Sequence, residues 1–205
     1  MPTADRERRE RPTADLTSVL AHAEIDGQKL EEHEIVMGFF LLVAAGNDST
    51  KATYCSGMRA LMERPEQRAL LLEDRSRISG AVEESLRMFP AFAHFRRTAA
   101  CDTEVAGRKI QEGEKVVMWY VSSNRDESRY HDPDRFDVLR NAEHQAFGAG
   151  GRHFCLGAAL ARLELNVLFE ETLSRYPAME ITGTPVMVES AFINQLKTLP
   201  VRLGA

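Results

Sequence analysis

The chain has 205 residues, and its 26 Lys+Arg against 31 Asp+Glu give a formal net charge of −5, which offers no basis for general affinity to nucleic acid or other polyanions. With 43% hydrophobic and 28% charged residues the composition is that of an ordinary globular chain, so disorder, collagen and coiled coil are excluded. The longest uncharged apolar run, residues 36–46, is about half of the roughly 20 residues needed to cross a bilayer, and charges rather than a signal-peptide core follow Met1, so a soluble, cytoplasmic protein with no membrane span is expected.

Residues 1–12 form an arginine-rich lead (Arg6, Arg8, Arg9 and Arg11, interleaved with Glu7 and Glu10). Charge of both signs without apolar anchors predicts a solvated or frayed terminus, separate from one domain over residues 13–205. Asp15 is placed to cap a short helix reaching Ala23, and Asp26-Gly27 marks a hairpin or tight loop. From Glu31 a long helix is predicted to about Glu63, with acids in its first turn and no proline before Pro65. Its middle, residues 36–46, is apolar all round and calls for cover by other protein. Asn47, Asp48, Ser49 and Thr50 follow, polar groups that need partners in such surroundings, while Gly46 removes a side chain where something bulky could approach.

A second helix is predicted over residues 76–89, stopped by Pro90 and holding Glu84 and Arg87 three apart on one face. Residues 103–121 read as extended structure, with a hairpin within 104–110 and a β-rich run over 115–121. Residues 122–140 are rich in turn formers. Next comes Phe147-Gly-Ala-Gly-Gly-Arg-His-Phe-Cys155-Leu-Gly157, leading into a helix to about Arg175. His22, His33, His131 and His144 stand isolated in polar contexts and read as surface residues. Cys55 reads as a small core residue, and Trp119 and Tyr120 as packing groups.

Chemistry concentrates around Cys155. Gly148, Gly150 and Gly151 allow backbone amides to come near it, and it sits where a helix begins, both of which favour a thiolate. A glycine-rich turn with an inert cysteine is the simpler reading. A phosphate-cradling loop is a third, but the run lacks the Lys-Ser/Thr of a P-loop and follows no clear strand. A thiolate ligand to a metal or heme accounts for more of the residues. Cys55, Cys101 and Cys155 are an odd number without C-x-x-C or finger spacing, so neither a disulfide framework nor a structural zinc site is indicated.

Four separated motifs, in the same order, resemble the cytochrome P-450 family of heme-thiolate monooxygenases. Residues 147–157 are similar to its heme-binding loop, Glu84 to Arg87 to its E-x-x-R pair, residues 45–50 to its oxygen-activating groove, and residues 132–140 to the segment that completes its Glu-Arg-Arg cluster. The resemblance covers residues 13–205 and implies the C-terminal half of that fold: mainly α with small β-sheets, a long central helix, the E-x-x-R helix, β-hairpins, and the Cys loop with its following helix. It implies heme b (iron protoporphyrin IX) as cofactor and Cys155 as proximal iron ligand, with amides of the glycine loop, including Gly148, Gly151 and Gly157, around the sulfur and Phe147 shielding it from water. Phe147 stands eight residues before the cysteine, where seven is usual. His153, Arg152 and Arg97, with Arg96 as the alternative to Arg97, are implied as propionate donors. Glu84, Arg87 and Arg140 would form a structural ion cluster.

On the distal side Asp48 and Ser49, with Thr50 beside them, would deliver protons to dioxygen, while Gly46 and Ala45 leave room over the ring. Ser49 stands where the family usually has Thr, which implies weaker coupling of oxygen reduction to substrate oxidation. The implied partners are a ferredoxin or flavoprotein electron donor and an apolar small-molecule substrate such as a sterol or lipid, for which residues 91–94 and 191–193 are candidate pocket segments. Members of the family are about twice this length. The alternative reading is therefore a truncated, non-catalytic fragment that binds heme weakly or needs a partner chain supplying the other half. A peroxide-using variant is expected to alter the acid-alcohol pair, which is retained here.

Overall fold

The arginine-rich lead is helical. The computed structural model describes residues 2–204, with side chains from Arg6 onward, and its first helix, α1, is Pro2–Glu10. Of the solvated or frayed terminus expected from its charge, the solvation stands, with Arg6, Glu7, Arg9 and Glu10 exposed, while the backbone is helical and paired: Arg8 Nε donates to Asp15 Oδ2 at 2.7 Å, and His22 Nε2 lies 3.1 Å from the Arg8 carbonyl. Asp15 caps α2 (Leu16–Ala21) by accepting the Ser18 N–H at 2.7 Å. That hydrogen bond, followed by those from Thr13 and Arg8, holds the Asp15 carboxyl well below the usual carboxylate range. Strands β1 (Glu24–Ile25) and β2 (Gln28–Lys29) close a two-residue hairpin on Asp26 and Gly27, whose φ of 52° and 77° match the twist such a turn requires.

Helix α3 is Glu32–Glu63. Its start is a capping arrangement in which the Glu34 carboxylate accepts the Glu31 N–H at 2.8 Å. The chain divides into two compact units, Met1–Asp48 and Ser49–Ala205, so α3 contributes to both. In the first unit Ile35 is buried and Gly38 faces Leu20, while Met37, Phe40 and Leu41 are 60%, 63% and 66% exposed. The cover that this apolar segment calls for is thus not supplied by the described residues.

The second unit packs the rest of α3 with α4 (Pro65–Glu73), α5 (Ile78–Met88) and α7 (Ala158–Arg175). Helix α4 escapes a sequence reading because Pro65 looks like a stop, whereas it occupies the first helical turn, where its missing N–H costs nothing. The helix expected from residue 76 begins as a 3-10 turn, Arg75–Arg77, capped by Asp74 accepting the Ser76 N–H, and becomes α-helical at Ile78. Leu61, Leu71, Val82, Phe136, Leu165 and Phe169 form the centre of the core. The helices meet at Gly57, where an added Cβ would lie 2.5 Å from Ser85 Oγ and 2.7 Å from Phe169 Cζ.

Strands β3 (His94–Thr98) and β6 (Lys115–Trp119) pair antiparallel with Arg97 opposite Val116. Between them β4 (Thr103–Val105) and β5 (Arg108–Ile110) make a hairpin. The β-rich run ends earlier than its composition suggests, because Tyr120–Ser123 form a short helix, α6. Residues 124–157 contain no helix or strand. After α7, β7 (Glu180–Ile181) pairs with β10 (Val201–Arg202) and β8 (Val186–Met187) with β9 (Leu196–Thr198). The result is mainly helical with small antiparallel sheets.

Candidate functional site

Cys155 is exposed and unpaired. Its backbone N–H donates to the Phe147 carbonyl at 3.0 Å, closing the loop into a ring, and its own carbonyl accepts the Ala158 N–H at 3.2 Å, which starts α7. Gly150 adopts φ 97°, a backbone that a side chain would strain. Gly157 takes the N-cap position of α7 and supplies no capping side chain. The positive end of this helix therefore stays available to an anion two residues upstream. The loop amides of Phe154 and Cys155 are engaged by the Gly151 and Phe147 carbonyls, so these two do not serve the sulfur.

Exposed apolar side chains flank Cys155 in the chain. Phe154, Leu156 and Leu160 are 45%, 88% and 59% exposed. Arg97, Arg152 and His153 are exposed, and among the described residues none of the three pairs with a carboxylate. Arg97 donates to the Arg96 carbonyl at 3.1 Å, which leaves most of its fork open. A flat apolar ring carrying carboxylates on its edge suits this combination, with one thiolate as its protein ligand. Among the described residues no cluster of three or more His, Cys, Asp or Glu could hold a metal ion without such a ring.

Gly46, Asp48, Ser49 and Thr50 lie within about one turn of α3. A Cβ at Gly46 would meet nothing within 4 Å. Ala45 and Gly46 are exposed, and Asp48, Ser49 and Thr50 are half-buried.

Glu84 and Arg87 are completely buried. Arg87 donates through Nε to Glu84 Oε2 and through Nη2 to Oε1, both at 2.8 Å, and through Nη1 to the Asn124 and Pro133 carbonyls at 2.7 and 2.8 Å. Glu84 Oε1 also accepts the Asp137 N–H at 2.9 Å and Arg140 Nε at 3.2 Å. Arg140 further donates to the carbonyls of His131, Asp132 and Arg135. Every charge in this cluster is thus opposed or hydrogen-bonded, as burial demands.

A second ion cluster lies outside the residues singled out from sequence. Arg162 donates through Nε to Glu83 Oε1 at 2.7 Å and through Nη2 to Oε2 at 3.0 Å. His144 Nε2 is 3.0 Å from the same Oε2. The surface assignment of His144 is corrected: its side chain is 2% exposed. Burial pushes the Glu83 carboxyl up, and the hydrogen bonds from His144 and Arg162, followed by the charge of Arg162, more than reverse this, bringing it down to about 2. Three residues spread over residues 83–162 carry no shared spacing by which a sequence reading could join them. Asn124, fully buried, was also without a signal; its side-chain carbonyl accepts the Gln145 N–H at 2.8 Å.

Residues 91–94 and 191–193 adjoin through a bridge between Phe92 and Ile193, with the Phe92 and Phe192 rings 5.0 Å apart. Trp119 lies against His94 at 4.6 Å and is half exposed. Burial pushes the half-buried Cys55 thiol up, in keeping with an unreactive residue. A cleft of about 510 Å³ lined by Ser56, Arg59, Phe89, Arg125 and Asn194 includes none of the residues named for chemistry.

The family model described as Cytochrome P450 matches residues 3–189. The methyl-branched lipid omega-hydroxylase of Mycobacterium tuberculosis is 46% identical over 189 residues, covering 91% of this chain and 44% of that protein. The steroid C26-monooxygenase of Rhodococcus jostii is 37% identical over 196 residues, 95% of this chain and 41% of that one. Among solved structures, Mycobacterium marinum cytochrome P450 CYP268A2, in complex with pseudoionone, superposes with a TM-score of 0.92 at 44% identity over 98% of this chain and 49% of its own. The chain spans about half the length of the relatives it matches. No helix among the described residues is long and apolar enough to cross a membrane.

Proposed function

The chain belongs to the cytochrome P450 family, and on that premise we propose that it holds heme b through the Cys155 thiolate as part of a monooxygenase hydroxylating an apolar lipid or sterol. Bound there, the heme would supply an electron-rich iron for a monooxygenation in which one atom of dioxygen enters a C–H bond and the other leaves as water, taking up two protons and two electrons from a ferredoxin or flavoprotein. The observation that carries this reading is the exposed Cys155 just before the N-terminal end of α7, which has no capping side chain, with the exposed Phe154 and Leu156 on either side of it in the chain.

The chain's own residues have distinct tasks. The end of α7 stabilises the sulfur as an anion. Arg97, Arg152 and His153 bind the two carboxylates of the ring edge, for which an arginine fork is well shaped. Phe147, half-buried beside the loop, limits water at the sulfur. Asp48 takes protons from solvent and Ser49 or Thr50 hands them on toward the oxygen. Gly46 and Ala45 leave the space that the reacting molecule occupies. Glu84, Arg87 and Arg140 hold the loop before Cys155 without taking part in the reaction.

A hemin titration of the chain tests this: saturation at one heme per chain, lost in Cys155→Ala, supports it. Turnover of a branched lipid or sterol with a ferredoxin system then tests the activity. A second reading, a heme-binding half that needs a complementary polypeptide for turnover, is favoured by the exposure of Met37, Phe40 and Leu41 on α3. It predicts heme uptake without product until that polypeptide is added.

A further inference from the structure

The cluster of Glu83, His144 and Arg162 is not needed to neutralise Glu84 or Arg87, which have their own partners. What it touches is the base of the Cys155 loop. The Arg162 guanidinium lies 4.7 Å over the Phe147 ring, within the range of a cation–π contact. The His144 ring is 5.7 Å from the same ring, tilted by 54° to it. Phe147 in turn accepts the Cys155 N–H. His144 Nδ1 accepts the Ala146 N–H at 3.1 Å, which places the ring's proton on Nε2, facing the Glu83 carboxylate. The carboxylate on α5 thereby fixes one side chain from the loop and one from α7, and both contact the residue whose carbonyl holds the cysteine amide.

We infer that Glu83 is a positioning residue for the Cys155 loop, acting through Arg162 and His144 on Phe147. The inference rests on the reading of Cys155 as the heme ligand for its functional meaning, but the clamp itself is a property of the chain alone. The fork and stack of Arg162 are specific: a lysine keeps the charge but cannot make both bonds to Glu83 and lie flat on Phe147. Arg162 also carries its charge near Cys155. Its pKa is raised first by the hydrogen bond to Glu83, against burial, and then by the charges of Glu83 and Cys155.

Hydrogen–deuterium exchange on the 205-residue chain without heme, followed by ferrous–CO spectra after hemin loading, tests the clamp in Glu83→Gln and Arg162→Lys. The expected result is faster exchange in residues 147–157 by about tenfold in both variants, the loss of roughly one well-made hydrogen bond, with α5 and the 165–173 core unchanged. After loading, a larger share of the CO complex should sit at the band position of heme that has lost its thiolate. Unchanged loop exchange in both variants overturns the inference. So does a loss of protection spread evenly over α5 and α7, which makes the cluster merely structural. If the unsubstituted chain itself gives no thiolate-type band, the heme reading fails, and the exchange result still decides whether the clamp exists.

Discussion

Glu83 and Glu84, adjacent on α5, serve two separate ion clusters: Glu83 pairs with Arg162 and His144, and Glu84 with Arg87 and Arg140. One turn of one helix therefore connects α7, the segment before the Cys loop and the turn-rich stretch around residue 135. The two carboxylates differ in burial, Glu84 at 0% and Glu83 at 26% side-chain exposure, and this sets different expectations for them.

Removing Arg87 takes both fork bonds from the fully buried Glu84 carboxylate, which keeps Arg140 and the Asp137 N–H, and takes from the Asn124 and Pro133 carbonyls the donor they share. Arg87→Ala is expected to destabilise the chain by ~3–5 kcal/mol, read as a shift in the urea midpoint. A loss below about 1 kcal/mol would place this pair among exposed ion pairs instead.

Glu83 predicts an acid-limb dependence. Its carboxyl is lowered from the usual 4.5 to about 2, so its ionised form adds stability above pH 4.5 that is lost as the pH falls through about 2. The stability difference between the unsubstituted chain and Glu83→Gln should be constant near neutral pH and shrink from pH 4.5 downward. Urea unfolding at a series of pH values reads it, and a difference that grows on acidification would contradict the assignment.

Gly57 sits where α3, α5 and α7 converge. Gly57→Ala drives a methyl to within 2.7 Å of Phe169 and closer still to Ser85, and is expected to cost ~1–3 kcal/mol despite the better helix propensity of alanine. Thermal unfolding monitored by circular dichroism checks the sign.

Gly46 predicts the opposite separation. Nothing among the described residues lies within 4 Å of where its Cβ would be, so Gly46→Ala should raise stability by ~0.5–1 kcal/mol. If that space belongs to the heme and the molecule above it, the same variant should bind hemin more weakly. A stabilised chain with unchanged hemin affinity would remove Gly46 from the site.

What is legible in the sequence follows from how local the determinants are. The 32 residues of α3 are readable because acids, a continuous helical run and a proline mark both ends, and the Asp26-Gly27 turn is readable because few residue pairs accept its backbone. The Cys155 loop stands out through its glycines. Pro65 conceals α4, since a proline after a helix looks the same whether it ends one or starts the next. His144 and Arg162 become interpretable only when α5 brings Glu83 between them, a contact made across 61 and 79 positions. The helical lead depends likewise on Asp15 reaching Arg8. Long-range pairing of this kind leaves no pattern in a single sequence.

The most direct test of the central claim is the ferrous–CO absorbance of the hemin-loaded 205-residue chain. A strongly red-shifted Soret band, absent in Cys155→Ser and retained in Cys101→Ser, is the result expected of a thiolate at position 155 bound to iron. A CO complex at the ordinary position, or one identical in the unsubstituted chain and Cys155→Ser, would contradict it.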